Sequence, residues 1–200
     1  MNKKYQIIYA DPPWPIQFGV DNHRYKRSST GSPKGTWSAP LINYGTMSLD
    51  CIKQLPVENL IDTDAVLFLW TINKFIKESY DVAIAWGFKP ISLLTWAKTP
   101  RGLGLGGAFV QTTEHLLYSR RGHIKPVKRS VSSWWNWKRP EVGTGPKHSR
   151  KPNDAYSLIT DTFGDLPRIE LFARQRVEGW DCWGNEVDSD IDLGVRDDMV

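Results

Sequence analysis

The sequence predicts an α/β fold in which a mostly parallel β-sheet carries helices on both faces. Its strand-like segments, such as residues 5–10 and 65–70, are apolar throughout, as strands buried on both faces are. They alternate with segments of helical periodicity, and this alternation is typical of parallel sheets. The length of 200 residues fits one domain, and 40% hydrophobic residues suffice for an ordinary core.

Six strands and three helices are predicted in chain order. The strands are residues 5–10, 65–70, 90–98, 114–121, 168–174 and a part of 179–187. The helices are 49–55, with Ser48 as N-cap, 73–86, ended by Gly87, and 152–163, with Pro152 in the first turn. One broad apolar face is expected on the second helix, formed by Phe75, Ile76, Tyr80, Val82, Ile84 and Ala85.

Two long loops interrupt this pattern, at residues 15–43 and 120–150. Both are rich in basic and turn-forming residues, and loops of this length are usually functional or disordered. We expect a single domain over residues 1–186. Residues 187–200 are expected to form an acidic, mobile tail without a chemical role.

Charge is distributed unevenly along the chain. The formal net charge is +4, but residues 186–200 hold six acids and one base, which leaves 25 basic and 16 acidic residues in the rest. A basic body suits a polyanionic partner such as nucleic acid, although a solvated basic surface explains the same count. The ten tryptophans offer faces on which bases stack, although burial in the core is their commoner fate.

Several classes of protein are disfavoured by the sequence. No apolar run approaches the length of about 18 residues that a membrane span needs, and no secretory signal is recognisable, so we expect a cytoplasmic protein. Cys51 and Cys182 are expected to be reduced, and no Cys/His cluster has zinc spacing. His115 is expected to be a core histidine. Nothing indicates a homo-oligomer.

The chemistry begins at Asp11-Pro12-Pro13-Trp14, directly after the first strand. In parallel sheets, ligands bind beyond the carboxyl ends of the strands. The Asp11 carboxylate and the Pro12 carbonyl would hold the two N–H bonds of an amino group, Pro13 would stiffen the turn, and Trp14 would stack on an extruded base. These parts suit methylation of the weakly nucleophilic N6 amine of adenine. A plain strand-ending turn is the alternative.

Seven segments resemble, in order, the N6-adenine methyltransferase family that includes the eukaryotic mRNA adenosine methyltransferases and small bacterial and phage members. They are YADPPW at 9–14, YGTMS at 44–48, TWAKT at 95–99, EHLL at 114–117, HSRKPNDAY at 148–156, IELFAR at 169–174 and GWDCWGNE at 179–186. The resemblance implies a Rossmann-like class I methyltransferase fold in which the catalytic motif precedes the cofactor motifs. It also implies S-adenosylmethionine as methyl donor, in the cytoplasm of a bacterial or phage-infected cell.

The same resemblance indicates cofactor residues. Ser149 and Lys151 are expected to bind the methionine carboxylate of the donor, although an N-cap and a solvated lysine would look alike. Asn185 and Glu186 match ribose-binding positions, although Glu186 could simply begin the acidic tail. Glu170 and Arg174 are candidates for the cofactor pocket, and because a buried acid requires a partner, the two could instead form a structural pair.

Two further features remain open at the level of sequence. Tyr44 resembles a pocket wall for the substrate, with a packing role equally consistent. The segment WWNWKRP at 134–140 interleaves aromatic and basic residues, so that it could stack bases and neutralise phosphates, or could pin a long loop to the core.

The predicted activity is therefore methylation of adenine N6 in nucleic acid, with DNA favoured over RNA. An RNA adenosine methyltransferase is the first alternative. A catalytically silent nucleic-acid-binding subunit is disfavoured because Asp11 is present, and cytosine-N4 methylation because such enzymes usually carry Ser at that position. The recognition sequence and any need for a partner subunit are left open.

Overall fold

A computed structural model describes residues 3–16, 45–98, 108–138, 140 and 150–194. The strands are β1 (Tyr5–Ala10), β2 (Ile61–Thr71), β3 (Lys89–Ala97), β4 (Thr113–Arg121), β5 (Trp134–Trp135), β6 (Arg168–Leu171) and β7 (Asp181–Trp183). The helices are α1 (Leu49–Gln54), α2 (Ile76–Ala85) and α3 (Asp154–Phe163), with short 3₁₀ turns at Val57–Leu60 and Asn73–Phe75. All six predicted strands and all three helices are confirmed, within shifts at their ends.

The seven strands form one sheet in the order β5-β3-β4-β2-β1-β6-β7. Strand β4 runs antiparallel to both of its neighbours, and every other pair is parallel. The prediction of a mostly parallel α/β sheet is confirmed. The described residues between β3 and β4, 98 and 108–112, contain no helix, and an antiparallel pair needs no helical crossover.

Helices cover both faces of the sheet, as predicted. Side chains of β1 alternate, so that Ile8 and Ala10 pack in the core with α1 and α2, whereas Ile7 and Tyr9 pack in the core with α3. The first core contains the larger number of buried residues, and the second is rich in aromatic rings. In the described part of the chain, no helix is both long and apolar enough to cross a bilayer.

The predicted N-cap of α1 and the glycine after α2 are confirmed, but the predicted apolar face of α2 is only partly correct. Ser48 caps α1 by accepting a hydrogen bond from the Cys51 amide, and Gly87 follows α2 with a φ of +84°. The expected apolar face of α2 is wrong at three positions, because Tyr80 is 37% exposed, Ile84 is 61% exposed and Ala85 is exposed as well. The helix buries a narrower stripe than its composition suggests, with Ser79 included in it.

Two segments that were predicted to lack regular structure, the loop at 120–150 and the acidic tail, contain ordered features. Within residues 120–150, Trp134 and Trp135 add the edge strand β5, which lies parallel to β3. Within the acidic segment, residues 187–194 pack against the domain: Leu193 is 7% exposed, and Asp190 accepts a hydrogen bond from the Cys182 amide. The expectation of a mobile tail is therefore wrong for these residues. The loop at 15–43 lies almost entirely outside the described residues.

Candidate active site

The strand order reverses at β1, whose neighbours β2 and β6 lead to opposite edges of the sheet. Such a switch point opens a crevice at the carboxyl ends of the strands. Here the crevice is a cavity of about 400 Å³. Its lining comes from the ends of β1, β2, β6 and β7 together with Lys151, and includes Asp11, Pro12, Pro13, Trp14, Ile16, Gly45, Met47, Thr71, Ile72, Phe172, Ala173, Arg174, Trp183, Gly184, Asn185 and Glu186.

The turn after β1 is held by its own backbone. The Pro12 carbonyl accepts a hydrogen bond from the Trp14 amide at 2.8 Å, and the Pro13 carbonyl accepts one from the Met47 amide at 2.9 Å. A carbonyl oxygen has two lone pairs, so Pro12 retains one acceptor site for a ligand. The turn therefore has the stiffness predicted from its two prolines.

Trp14 does not have the free face that stacking on a base requires. It is 4% exposed, its ring stacks on Phe75 with centroids 5.6 Å apart, and its indole Nε1 donates to the Trp70 carbonyl at 3.0 Å. The predicted stacking role is corrected accordingly: Trp14 borders the cavity but is a core residue that fixes the turn. A large aromatic ring gains more from burial than from exposure to water.

Asp11 belongs to a line of alternating charges that crosses the sheet. Lys151 Nζ lies 2.7 Å from Asp11 Oδ2 and 3.3 Å from Glu114 Oε2, and the other oxygen of Glu114 accepts a hydrogen bond from Lys98. Lys151 Nζ also lies 5.6 Å from the centre of the Trp70 ring, a cation–π distance. Two lysines and two carboxylates thus balance one another next to the cavity.

Burial and pairing act in opposite directions on these groups. Burial lowers the pKa of Lys151, but the adjacent Asp11 and Glu114 outweigh burial and hold that pKa above its ordinary value. Burial raises the pKa of Glu114, yet Lys151 and Lys98 hold it below its ordinary value. For Asp11, burial raises the pKa and prevails over the opposing effect of Lys151. Lys151 and Glu114 are accordingly charged at neutral pH.

The contacts change the interpretation of Lys151. The sequence predicts an ammonium directed at the carboxylate of the cofactor, whereas the structure places it between two carboxylates of the chain itself. Its contacts are therefore with the Asp-Pro-Pro-Trp turn and with Glu114. Ser149 and Tyr44, the other predicted ligands in these segments, lie outside the described residues.

The opposite side of the cavity is formed by the segments that follow β6 and β7. Arg174 Nε donates to Glu186 Oε1 at 2.6 Å, which joins the two segments, and Asn185 lies beside them in the lining. Gly184 makes this approach feasible, because a Cβ there would lie 2.3 Å from the Ala173 carbonyl oxygen. The structure thus brings three predicted cofactor residues together on one wall.

Glu170 and Arg174 do not form the structural pair that the sequence suggested. Glu170 accepts a hydrogen bond from the Tyr156 hydroxyl at 2.8 Å, whereas Arg174 is bonded to Glu186. Glu170 borders a small side recess of about 30 Å³ next to Asp11, not the main cavity. Burial raises its pKa to about 7, against a smaller lowering by the Tyr156 hydrogen bond. Glu170 is therefore better placed to hold the Tyr156 hydroxyl than to contact a ligand in the main cavity.

Sequence reasoning missed three residues of the site. Glu114 and Lys98 are separated by 16 positions, and only the pairing of β3 with β4 brings them together. Phe172 follows β6 with a φ of +63°, a conformation that is uncommon for a non-glycine residue. Glycine adopts this conformation without strain, so the Leu-Phe-Ala sequence gives no local sign of the positive φ.

The remaining candidates have structural roles. His115 is a core residue as predicted: Nδ1 lies 3.2 Å from the Thr95 hydroxyl, and Nε2 lies 3.0 Å from the Asn73 side-chain oxygen. Cys51 and Cys182 are both free thiols. Among the residues that the structure describes, no group of three His, Cys, Asp or Glu side chains is arranged to hold a metal ion.

The fold and site together define a class. A mostly parallel sheet with a ligand cavity at its switch point, and an Asp-Pro-Pro-Trp turn in the cavity wall, is the arrangement of a Rossmann-like methyltransferase. The particular family follows from comparison with known proteins. The chain belongs to the MT-A70 family, which matches residues 5–186 and confirms the resemblance seen in the sequence.

Individual relatives differ in how much of their length the chain spans. The chain is 31% identical to the Type II methyltransferase M.MunI of Mycoplasma sp., over 98% of this chain and 84% of that protein. It is 26% identical to an N(6)-adenosine-methyltransferase MT-A70-like of Arabidopsis thaliana, over 95% of this chain but only 24% of that protein. It is 25% identical to the N(6)-adenine-specific methyltransferase METTL4 of Mus musculus, of which it spans 38%.

Proposed function

We propose that this protein transfers the methyl group of S-adenosylmethionine to the N6 amine of adenine in nucleic acid, with DNA as the favoured substrate. Membership of the MT-A70 family makes the chain an adenine methyltransferase. The observation that carries the finer proposal is the position of Asp11. Its carboxylate borders a cavity of about 400 Å³ at the carboxyl edge of β1 and is fixed there by Lys151.

The residues present fit the donor. A volume of about 400 Å³ lies within the range of small-molecule sites. Glu186 and Asn185 supply a carboxylate and an amide, which suit the ribose hydroxyls, and Arg174 orients Glu186 through the bond at 2.6 Å. Ser149 remains part of the proposal on the ground of the family motif alone. When bound, the donor would supply a sulfonium methyl group to the amine and keep its sulfur as a neutral thioether, and the methylated amine then loses one proton.

Asp11 performs the step that the chemistry of adenine demands. Its carboxylate accepts one N6 hydrogen, and the free lone pair of the Pro12 carbonyl accepts the other. Burial raises the pKa of Asp11, so the carboxylate is a stronger acceptor than an exposed aspartate. Two acceptors favour a pyramidal nitrogen whose lone pair is available for attack, and the stiff turn positions it.

Lys151 acts on the reaction through Asp11. Its ammonium holds the carboxylate at 2.7 Å, and Glu114 on its far side limits the net positive charge. A carboxylate that is held in place accepts a hydrogen bond without first losing side-chain freedom. We assign Lys151 to positioning Asp11, which modifies the expectation that it binds the methionine carboxylate directly.

The share of each relative that the chain covers favours DNA over RNA as the substrate. The alignment with the Mycoplasma Type II methyltransferase covers nearly all of both chains, whereas the alignment with the Arabidopsis N(6)-adenosine-methyltransferase covers about a quarter of that protein. The proposed setting is the cytoplasm, where the nucleic acid of a bacterial cell is accessible.

The test is methyl transfer from tritiated donor to separate DNA and RNA substrates, followed by nucleoside analysis. We expect label in N6-methyladenine from DNA, and a loss of at least about 100-fold in rate for Asp11→Asn with donor binding largely retained. Asp165→Asn, at a 93% exposed carboxylate, is the matched control.

Four outcomes would contradict all or part of the proposal. Full activity of Asp11→Asn would remove the catalytic assignment, and label in cytosine would remove the substrate assignment. Nucleic-acid binding by the wild-type protein without any methyl transfer would favour a silent binding subunit. Label in RNA alone would leave the chemistry intact and reverse the preference for DNA.

A further inference from the structure

We propose that a second pocket, on the sheet face covered by α3, binds an unpaired nucleobase of a nucleic-acid strand. The pocket has a volume of about 310 Å³ and opens to solvent. It shares no lining residue with the cavity that contains Asp11, so it is a separate site. The lining and charge of this pocket alone support a base-binding role, which would stand even if the proposed methyl transfer failed.

Aromatic rings form the floor of this pocket. Phe68 on β2, Tyr118 on β4 and Phe163 on α3 form a cluster in which each ring centre lies 5.4 to 5.9 Å from the other two. Trp135 on β5 adds a further ring to the lining and is fixed by parallel stacking on Trp137 at 4.8 Å. Tyr118 and Trp135 are partly exposed and can offer a ring face to another flat π-system, whereas the buried Phe68 and Phe163 hold the floor in place. Every nucleobase has such a flat face.

The mouth of the pocket is built from one irregular segment, residues 126–132. The amides of Val127 and Lys128 donate to the Thr162 carbonyl at 2.8 and 3.2 Å, which fastens the segment to the end of α3. Ser130 then adopts a φ of +56°, a strained conformation for serine that is often found at ligand sites. The segment therefore leaves an opening over the aromatic floor.

Charge at the mouth identifies the ligand class. Lys128 and Arg129 line the pocket, both are exposed, and no acidic side chain is among the lining residues. Residues 115–140 contain seven Lys and Arg and no Asp or Glu. Aromatic walls with a cationic rim complement a base joined to phosphates, the combination used by single-strand binding proteins. A paired base within a duplex cannot enter, because its faces are already stacked.

The position of the pocket suits a nucleic-acid strand that also reaches the edge of the sheet where Asp11 lies. From the pocket the chain continues into β5, parallel to β3, so it runs toward the edge where β3 ends at Ala97. The Trp96 indole donates to the Trp137 carbonyl at 2.9 Å and ties this path to the sheet. Lys98, one residue beyond β3, belongs to the charge line of Asp11. Residues 134–138 therefore hold the loop on the sheet through Trp137, and the exposed Lys138 extends the basic path.

Photocrosslinking tests the assignment directly. Single-stranded DNA oligonucleotides with 5-iodouracil at one position at a time are irradiated with the full-length protein, and the crosslinked peptides are identified by mass spectrometry. We expect crosslinks at Tyr118 or Trp135. Leu158→Trp, which places a ring in the pocket, should remove these crosslinks and weaken binding of the oligonucleotide about 10-fold.

Two controls keep the test decisive. Ile84→Trp adds the same ring at a 61% exposed position of α2, on the other side of the sheet, and should bind like the wild type. Trp135→Leu supplies a second pocket variant if Leu158→Trp unfolds, as judged from thermal unfolding. Crosslinks confined to the catalytic edge, with normal binding by both pocket variants, would overturn the proposal. Displacement of the crosslink by adenosine monophosphate as readily as by the oligonucleotide would overturn the assignment to a strand.

Discussion

The two walls of the main cavity differ in the number and the exposure of their charged side chains. On the β1 side, the side chains of Lys151 and Glu114 are 10% and 7% exposed and form part of a line of four charges. On the β6–β7 side, Arg174 and Glu186 are 29% and 51% exposed and form one pair. The first wall is a fixed, desolvated network, and the second remains in contact with water.

The difference matches the tasks proposed for the two walls. A group that must hold a poor nucleophile in one geometry gains from being immobile, and buried ion pairs are immobile because each partner depends on the other. A wall that admits and releases a cofactor can use half-exposed groups, whose separation in water costs little. The comparison therefore predicts large stability effects on one wall and mainly binding effects on the other.

Lys151→Met should give the largest effect, because it leaves the buried Glu114 carboxylate and the partly buried Asp11 carboxylate without their shared cation. Removing one partner of a buried ion pair typically costs about 3–5 kcal/mol of unfolding free energy. Urea unfolding at pH 8 measures it, with Lys77→Met on the exposed surface of α2 as control. A loss below about 1 kcal/mol would show that the first wall is not the fixed network described above.

Glu170→Gln sharpens the comparison, because this buried carboxyl is held by a phenol and not by a cation. The folded protein binds its proton more tightly than the unfolded chain does, with a pKa of about 7 against an ordinary 4.5. The protonated carboxyl therefore stabilises the fold at low pH, and this contribution is lost as the pH rises through about 7.

The stability of Glu170→Gln relative to wild type should consequently increase by about 3 kcal/mol at most between pH 4.5 and pH 8.5. Urea midpoints across that range provide the measurement, with Glu178→Gln, an exposed position after β6, as the matched control. A difference that does not change with pH would mean that Glu170 is paired or hydrated in solution.

Glu186→Gln should give the smallest effect on stability, less than about 1 kcal/mol, because its partner Arg174 remains partly in water. The affinity for S-adenosylmethionine should nevertheless fall about 10-fold, since a carboxylate accepts hydroxyl hydrogen bonds more strongly than an amide. Calorimetric titration of the donor tests this, with Asp165→Asn as an exposed control. Unchanged affinity together with a large loss of stability would reverse the roles of the two walls.

Local signals predicted most of the fold and part of the site. The Asp-Pro-Pro-Trp turn follows the carboxyl end of a parallel strand as expected, because an apolar strand followed by prolines has few alternatives. That this end is also the switch point of the sheet was not predicted. The roles of single side chains were less predictable. Trp14 is as suited to stacking as to burial by its chemistry, and only its contacts with Phe75 and the Trp70 carbonyl decide in favour of burial.

The sequence by itself determined the α/β class, the order of strands and helices along the chain, and the motif that indicates the chemistry. Periodicity and turn residues act over a few neighbouring positions, so they can be read without coordinates. Only the tertiary structure decided that Lys151 pairs with Asp11 and Glu114, 140 and 37 positions away in sequence, and that an aromatic pocket opens beneath residues 126–132. These features depend on which strands are neighbours and how closely they pack, and no local pattern carries that information.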